Sequence, residues 1–350
     1  VTALPLGVTP KLVRKSSGQH HHPPLGKQLP PSELLHYYKS NLEGTTMYYF
    51  IVNPKSSSNR GIRRWQLIEA QLNRESIQHQ VFFTKHGGHA TALADTICRK
   101  HQNPTLVAVG GDGTANEVIS GIPCLSDVSF GYIPTGSSND LARSLGIPSD
   151  PLKALDRILY PKSSIPMDVG YITNGTQSRS FAVSTGIGYD AAVCHEALHS
   201  GIKRILNRFH LGKLTYMGIA LRQLLLLKPS PLLLTLDNEK ELRFDRVFFA
   251  TVMNQKYEGG GFMFCPEAKC GDGWLDVCVI EQMPKLKVLM LLPHSLSRKA
   301  RELPWSTYLP LQKAQLKTPH PLPVHADGES FNFKQISRFR FYRESLLFLN

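Results

Sequence analysis

Strands and helices alternate in the sequence between residues 46 and 160, and this order restricts the fold more than any other feature. Four apolar, β-rich runs predict strands at 46-TMYYFIVNP-54, 79-HQVFFT-84, 105-TLVAVGG-111 and 128-VSFGYIP-134. Between them, apolar residues recur at helical spacing, for example at Ile62, Trp65, Ile68 and Leu72. Such an order predicts a parallel sheet with helices on both faces, so we expect an α/β domain over residues 46–163.

The sequence changes character after residue 163. Strand-like runs dominate, and one long helical region, about 189–228, interrupts them. We therefore expect a mostly antiparallel β-sandwich domain over residues 164–336. Residues 1–45 are rich in Pro, Gly, Ser and His and predict a disordered or weakly ordered tail. The runs that predict strands are 165–173, 180–186, 231–237, 242–253, 275–283 and 336–342.

A glycine-rich turn follows the third predicted strand, in the sequence 108-AVGGDGTANEV-118. Glycines between a buried parallel strand and a helix favour anion binding, because backbone N–H groups and the helix N-terminus face the ligand. Yet the turn contains the carboxylate of Asp112, and no Lys or Arg lies between Ala108 and Ser138. A carboxylate beside phosphates requires a cation or a proton between them, and Mg²⁺ suits both groups. Alternatively, Asp112 orients a hydroxyl that attacks a γ-phosphate, and both interpretations predict phosphoryl transfer.

A second loop of the same kind, 133-IPTGSSNDLA-142, follows the fourth predicted strand. Its hydroxyls and glycine suit contact with phosphates, and Asn139 or Asp140 is expected to cap the next helix. Neither loop has the spacing of a Walker A loop or of the dinucleotide fingerprint G-x-G-x-x-G. Because successive parallel strands end at one edge of a sheet, we expect the two loops to flank a single crevice.

The motifs GGDGTANEV, PTGSSNDLA and HADGE together resemble those of the diacylglycerol kinase catalytic-domain family. The resemblance extends over about residues 46–350 and is strongest to the bacterial soluble lipid kinases, with the sphingosine kinases more distant. It implies an ATP-binding α/β domain, a β-sandwich domain that helps to bind lipid, and an active site between them. A final strand, about 337–350, is expected to return to the first domain. The implied enzyme uses ATP and Mg²⁺ to phosphorylate diacylglycerol or a related amphiphilic alcohol in phospholipid biosynthesis.

The resemblance also implies roles for individual residues. Glu329 is the expected general base that takes the proton from the lipid hydroxyl, Asp327 supports it, and Asp112 acts at the γ-phosphate with Mg²⁺. Asp168 matches an aspartate in the family's network around the site. The expected ATP contacts are Asn53, Pro54, Lys55, Ser56, Ser57, Thr84, Gly110, Gly111, Asp112, Gly113, Thr114, Ala115, Asn116 and Thr135.

Two segments add detail to this resemblance. The family usually has glycine at the position of Ser57. The segment 266-PEAKCGDGWLDV-277 resembles the family's structural Mg²⁺ loop, in which Asp272 supplies a carboxylate and Lys269 and Trp274 supply backbone carbonyls. From the residues alone, the same segment predicts a hairpin turn.

The net charge of +13 and the pI of about 9.5 favour an anionic partner. Residues 197–227 combine apolar residues at near-helical spacing with several Lys and Arg, which favours a helix that lies on an anionic membrane. The alternative is a helix that packs on the sandwich and points its charges to water. No segment has the roughly 20 unbroken apolar residues of a spanning helix, and none resembles a secretory signal. We therefore expect a cytoplasmic protein with peripheral membrane contact, ATP and lipid as partners, and no nucleic acid. A homodimer is left open.

Two other functions remain open on the sequence. The GGDGT motif also occurs in NAD kinases, so a small-molecule kinase of that type is the nearest alternative. The continuation Asn116-Glu117-Val118 and the late D-G-E favour a lipid kinase. A non-catalytic nucleotide-binding or membrane-binding module is the second alternative, and the presence of Asp112 and Glu329 argues against it.

Overall fold

The computed structural model describes residues 46–199, 212–226, 228–237, 240–282, 287, 306–331 and 338–350. The predicted tail of residues 1–45 lies outside the described residues. So do residues 200–211, which make up much of the basic amphipathic stretch, and the side chains of residues 212–217. The strands and helices given below belong to the region Thr46–Asn350.

Parallel strands form the N-terminal sheet, in the spatial order β2-β1-β3-β4. The two central strands, β1 and β3, are buried at every residue. Burial on both faces is the reason for their unbroken apolar sequence, and it agrees with the predicted parallel sheet. The bounds are β1 (Tyr48–Val52), β2 (His79–Phe83), β3 (Thr105–Gly110) and β4 (Ser129–Pro134).

Helices cover both faces of this sheet, because successive strand residues point to opposite sides. Phe50 packs in a core with Trp65 of α2 and Leu155 of α6. Its neighbour Ile51 packs in a second core with Ala94 of α3 and Val118 of α4. The bounds are α1 (Ser56–Asn59), α2 (Gly61–Arg74), α3 (His89–Lys100), α4 (Asp112–Ser120), α5 (Asp140–Leu145) and α6 (Pro151–Leu159).

Helix α4 begins at Asp112, within the glycine turn. Gly111 is extended, and its carbonyl accepts hydrogen bonds from the N–H groups of Thr114 at 2.9 Å and Ala115 at 3.1 Å. The helix therefore starts directly at the glycine turn. Asp112 occupies the first turn, where the helix dipole favours a negative charge.

The strands after residue 163 form a β-sandwich with mostly antiparallel pairing, as predicted. Its core contains Phe181, Leu234, Val277, Leu316 and Phe341. The bounds are β5 (Ser164–Thr173), β6 (Ser178–Phe181), β7 (Ser184–Gly188), β8 (Ser230–Leu236), β9 (Lys240–Met253), β10 (Leu275–Glu281), β11 (Ser306–Leu311), β12 (Ala314–Lys317), β13 (Val324–Ala326), β14 (Glu329–Phe331) and β15 (Arg338–Leu349).

Two features of this region differ from the prediction. The expected long helical region contains two described helices, α7 (Tyr189–His199) and α8 (Gly212–Leu226). The strands β11 to β14 were not predicted, because they are only 3–6 residues long and β11 contains Pro310. Runs this short show no clear alternation, and pairing with neighbouring strands stabilises them.

The strand β15 joins the two sheets. Its residues Leu347 and Phe348 pair in parallel with Ser129 and Phe130 of β4. Its earlier residues pair antiparallel with β12, and most of its length pairs with β5. One strand therefore extends the N-terminal sheet and also belongs to the sandwich.

Within the part of the chain that the structure describes, no helix has the length and apolarity that crossing a bilayer requires.

Replacement of Gly170 in β5, which lies against the ring of Phe181, tests the packing of the sandwich. The two residues are paired across β5 and β6, and a Cβ on Gly170 would overlap the ring, which is fully buried. We expect Gly170→Ala to destabilise the protein by about 1–3 kcal/mol through overpacking, measured as a lower midpoint of thermal unfolding. The control Gly218→Ala adds a methyl group where no atom lies within 4 Å on helix α8, and it should not lower the midpoint. Equal midpoints for the two variants would contradict the expectation.

Candidate active site

The strands of the N-terminal sheet end level with one another. Val52, the last residue of β1, is paired with Phe83 of β2 and with Val109 of β3, and Val109 is paired with Ile133 of β4. The residues that follow these strands therefore meet at one edge. Backbone hydrogen bonds extend this register into the loops, since Asn53 N–H donates to Val109 O at 2.9 Å and Thr84 N–H donates to Val52 O at 2.9 Å.

The two glycine-containing loops are in direct contact. A Cβ on Gly136 would lie 2.5 Å from the Cα of Gly111, so the close approach requires glycine. Thr135 N–H donates to Gly110 O at 2.6 Å and ties the loops together. The two loops therefore meet at one edge of the sheet, and the crevice between them stays a prediction.

The predicted turn after β1 joins the same group. Asn53 Nδ2 donates to Thr114 Oγ1 at 3.2 Å, and the Ser56 and Thr135 hydroxyls lie 2.8 Å apart. Lys55 N–H donates to Asn53 Oδ1 at 3.0 Å and closes the turn around Pro54. Ser57 has a φ of 50°, in the left-handed region that favours glycine.

The carboxylate of Asp112 caps helix α5 from the other loop. Its two oxygens accept hydrogen bonds from the N–H groups of Asp140 at 3.0 Å and Leu141 at 3.2 Å. The expectation that Asn139 or Asp140 caps this helix was wrong, because Asn139 bonds instead to Gly136 and no side chain of the N-cap residue bonds the helix. Burial raises the pKa of Asp112 to about 6, although the two N–H donors oppose the rise.

Glu329 lies beside the glycine turn although it follows Asp112 by 217 positions in the sequence. Its Oε1 lies 3.9 Å from the place where a Cβ on Gly113 would stand. The side chain is exposed and belongs to the first residue of strand β14, after the Asp327-Gly328 turn. The structure therefore brings a carboxylate of the sandwich to the N-terminus of α4.

Asp327 is held rigidly under this turn. Its carboxylate accepts hydrogen bonds from Asn116 Nδ2 at 2.8 Å and from the N–H groups of Ala182, Val183 and Ser184 at 2.8–2.9 Å. Burial raises its pKa, and the same four donors oppose the rise. With its oxygens occupied, Asp327 fixes the hairpin of β13 and β14 against helix α4.

Asp168 and the predicted metal loop lie together in the sandwich. Asp168 accepts hydrogen bonds from Arg343 Nη1 at 2.9 Å and from the N–H groups of Gly271 at 2.9 Å and Gly273 at 3.0 Å. Asp168 therefore orders the loop that contains Lys269, Asp272 and Trp274. Asp272 is exposed, and one of its oxygens accepts the N–H of Trp274 at 3.0 Å.

The structure also adds residues that the sequence did not single out. Arg143 of α5 donates to Asp140 Oδ1 at 2.7 Å, and Gly260 N–H donates to Asp140 Oδ2 at 2.7 Å. Arg143 is the first cationic residue after the second glycine-containing loop. Its position on the short helix α5 was the feature of the sequence that could have indicated a role at the site. Asp190, Glu258 and His325 also meet in the sandwich, with side-chain nitrogen and oxygen atoms within 4.8 Å of one another, and no spacing in the sequence indicates them.

The raised pKa of Asp112 predicts a pH-dependent difference between wild type and Asp112→Asn. Because the folded state raises this pKa from 3.8 to about 6, the group's contribution to stability is present below pH 4 and is lost as the pH rises to about 6. The unfolding midpoint of wild type, without nucleotide or divalent cation, should therefore fall relative to the variant between pH 4 and 6. The control Asp245→Asn removes a carboxylate that is 70% exposed and should show no such trend. A constant difference for Asp112→Asn would contradict the assignment.

Comparison with known proteins gives a consistent result. Residues 47–172 match the family model of the diacylglycerol kinase catalytic domain, and residues 183–334 match the YegS C-terminal NAD kinase beta sandwich-like domain. YtlR of Bacillus subtilis, provisionally named a lipid kinase, is 29% identical over 287 residues, which cover 81% of this chain and 93% of that protein. A diacylglycerol kinase of Mycobacterium tuberculosis is 29% identical over 226 residues, which cover 64% of this chain and 70% of that protein.

A solved structure is similar in fold. The crystal structure of a Bacillus anthracis protein, provisionally named a diacylglycerol kinase, superposes with a TM-score of 0.68 at 22% identity and covers 87% of this chain and 95% of that chain. The two family models follow each other along the chain and together take in more than half of it. The chain therefore belongs to the family of lipid kinases that join a diacylglycerol kinase catalytic domain to a YegS-type β-sandwich.

Proposed function

We propose that the protein is an ATP-dependent lipid kinase that transfers the γ-phosphate to a hydroxyl of diacylglycerol or a related amphiphilic alcohol. The observation that carries this proposal is the position of Glu329 Oε1, 3.9 Å from the Cβ position of Gly113. A base must reach the hydroxyl that attacks, and the phosphate must lie at the glycine turn. The names of the relatives support a lipid as the acceptor.

The phosphate side of the reaction uses the level ends of the parallel strands. The N–H groups at the start of α4 and the hydroxyls of Ser56 and Thr114 bind the phosphates of ATP, with Asn53 and Thr84 at the same edge. Thr135 is fully buried and supports Ser56, because the two hydroxyls lie 2.8 Å apart. Mg²⁺ supplies positive charge beside the phosphates. Asp112 fits such an ion, because a pKa of about 6 leaves its carboxylate ionised at neutral pH.

The acceptor side of the reaction uses the β13–β14 hairpin. Glu329 is exposed and takes the proton of the lipid hydroxyl as it attacks the γ-phosphorus. Asp327 is unsuited to that role, because four donors occupy its carboxylate, and it holds the hairpin in place instead. Two regions thus supply the two halves of the reaction: residues 46–163 with the strand at 337–350, and residues 164–336.

A structural cation in the loop 269–274 is part of this proposal. The donor set consists of the Asp272 carboxylate and the backbone carbonyls of Lys269 and Trp274, and such oxygen ligands fit a hard cation. The exposed position of Asp272, with one oxygen engaged by Trp274 N–H, leaves the other oxygen for the ion.

Peripheral contact with an anionic membrane at the cytoplasmic side completes the proposal. Helix α8 exposes Leu221 at 44% and Leu226 at 59%, and the chain has a net charge of +13. Exposed leucines on a helix of a basic protein favour insertion at a negatively charged lipid surface, where the acceptor lipid resides.

Replacement of the proposed base tests the chemistry. We expect Glu329→Gln to lower kcat by about a hundredfold or more with ATP affinity retained, because the amide cannot accept the proton. The measurement is transfer of labelled γ-phosphate from ATP to mixed lipids, with NAD as an alternative acceptor and products identified by mass spectrometry. The control Glu267→Gln changes an exposed glutamate of the sandwich and should retain activity. Full activity of Glu329→Gln, or transfer to NAD alone, would overturn the proposal.

The membrane contact predicts binding to anionic vesicles that weakens as salt increases. Phosphatidylglycerol vesicles should sediment with the protein at low ionic strength and release it as screening rises, whereas phosphatidylcholine vesicles should bind less. Leu226→Glu should weaken the binding, while Leu67→Glu, on helix α2 with a similar exposure of 56%, should not. Salt-independent binding, or equal effects of the two substitutions, would argue against this surface.

A further inference from the structure

A buried histidine lies between two carboxylates close to the candidate active site. His325 of β13 is fully buried, and its Nε2 lies 3.2 Å from Asp190 Oδ2 and 3.2 Å from Glu258 Oε1. The side chains of Asp190 and Glu258 are 13% and 12% exposed. Gly186 lies against this cluster, and a Cβ there would stand 2.5 Å from His325 Nε2. The His325 ring can therefore occupy this position only because residue 186 is a glycine.

The contact of His325 Nδ1, the ring nitrogen that faces away from the carboxylates, bears on where the ring carries its proton. Gly328 N–H donates a hydrogen bond to His325 Nδ1 at 3.2 Å, and this bond requires an Nδ1 without a proton. The neighbouring carboxylates act in the other direction, because against the effect of burial they raise the pKa of His325 and favour a second proton on the ring. The proton of the neutral ring is then on Nε2, from which it is donated to the carboxylates. A metal ion on Nε2 would move the proton to Nδ1, where it would face the N–H of Gly328. The geometry therefore favours a hydrogen-bonded imidazole over a metal ligand.

The bond to Gly328 supports the turn that carries Glu329. Asp327 and Gly328 both have positive φ, 47° and 77°, and Glu329 follows directly. A non-glycine residue in the left-handed region needs support from its surroundings. The four donors to Asp327 hold one side of the turn, and His325 holds the N–H of Gly328 on the other.

The same cluster connects with the glycine loops. Glu258 lies in the segment after β9, and two residues later Gly260 N–H donates to Asp140 Oδ2 at 2.7 Å. Asp140 begins helix α5, whose N–H groups bind Asp112. Asp112 is thus connected by hydrogen bonds to α5, and α5 is connected to Gly260. Gly260 follows Glu258, which contacts His325, and His325 bonds the turn before Glu329.

We propose that His325 is a positioning residue, which sets the place of Glu329 relative to the glycine turn through its bond to Gly328. Asp190 and Glu258 fix the ring in the orientation and tautomer that leave Nδ1 free to accept. The inference rests on the proposed role of Glu329 as base. Displacement of a base by about 1 Å can lower the rate by about a hundredfold, so such support matters for the reaction.

Two substitutions of His325 distinguish the hydrogen bond at Nδ1 from the contacts at Nε2. In His325→Asn, Oδ1 takes the place of Nδ1 and can accept from Gly328, whereas the contact with the carboxylates is lost. In His325→Gln, the amide nitrogen takes the place of Nε2, whereas the acceptor for Gly328 is lost. We expect His325→Gln to lower kcat by about tenfold to a hundredfold with the KM for ATP within about twofold. His325→Asn should keep a kcat at least about fivefold higher than His325→Gln, and the exposed His320→Asn serves as the control.

Two readouts do not depend on activity. Hydrogen exchange in the peptide 324–331 should be faster in His325→Gln than in His325→Asn, and ¹⁵N-histidine NMR of wild type should assign the Nε2–H tautomer to His325. An Nδ1–H tautomer or a ring protonated on both nitrogens, equal exchange and equal kcat in the two variants, or a stoichiometric bound metal that His325→Gln removes would each overturn the proposal. If wild type phosphorylates no lipid, the proposed function fails, while the exchange and NMR results still decide the role of His325.

Discussion

The contact between the two glycine-containing loops is the constraint on which the rest of the site depends. A Cβ on Gly136 would lie 2.5 Å from the Cα of Gly111, whereas a Cβ on Gly111 would lie 3.2 Å from the Cα of Gly136, so Gly136 has no room for a side chain and Gly111 has little. Asp112 then reaches across this contact and binds the N-terminal amides of α5. The carboxylate within a glycine turn is thus explained by the fold itself: its charge is met by a helix dipole from the neighbouring loop, even before any ligand is considered.

The same contact determines where the sandwich can approach. Helix α4 starts at Asp112, and Asn116, one turn later, donates to Asp327 of the β13–β14 hairpin. Helix α5 starts at Asp140, which accepts a hydrogen bond from Gly260 of the segment after β9. Both helices that leave the glycine loops therefore bind the sandwich through polar groups near their first turns. Glu329 is brought to the glycine turn as a consequence of these two attachments.

The sequence predicted the parallel sheet well, because strands buried on both faces have long apolar runs and the intervening helices have a clear period. It also indicated most residues at the carboxyl edge, since loops after successive parallel strands must converge. It did not indicate β11 to β14, which are too short to show alternation, or the capping of α5 by Asp112, which comes from a different loop. The meeting of Asp190, Glu258 and His325 depends on the pairing of β13 with β7, and no local pattern reports such pairing.

The strand β15 has a consequence for the order in which the protein folds. It completes a sheet whose previous member, β4, ends at Pro134, yet it begins only at Arg338. During synthesis on the ribosome, β4 must therefore stay an unpaired edge while some 200 further residues emerge, and closing so long a loop is slow. The outer edge of β4 in the nascent chain therefore lacks the partner that β15 supplies at Ser129 and Phe130 until almost the whole chain has been made, and it is open to non-native pairing for that time.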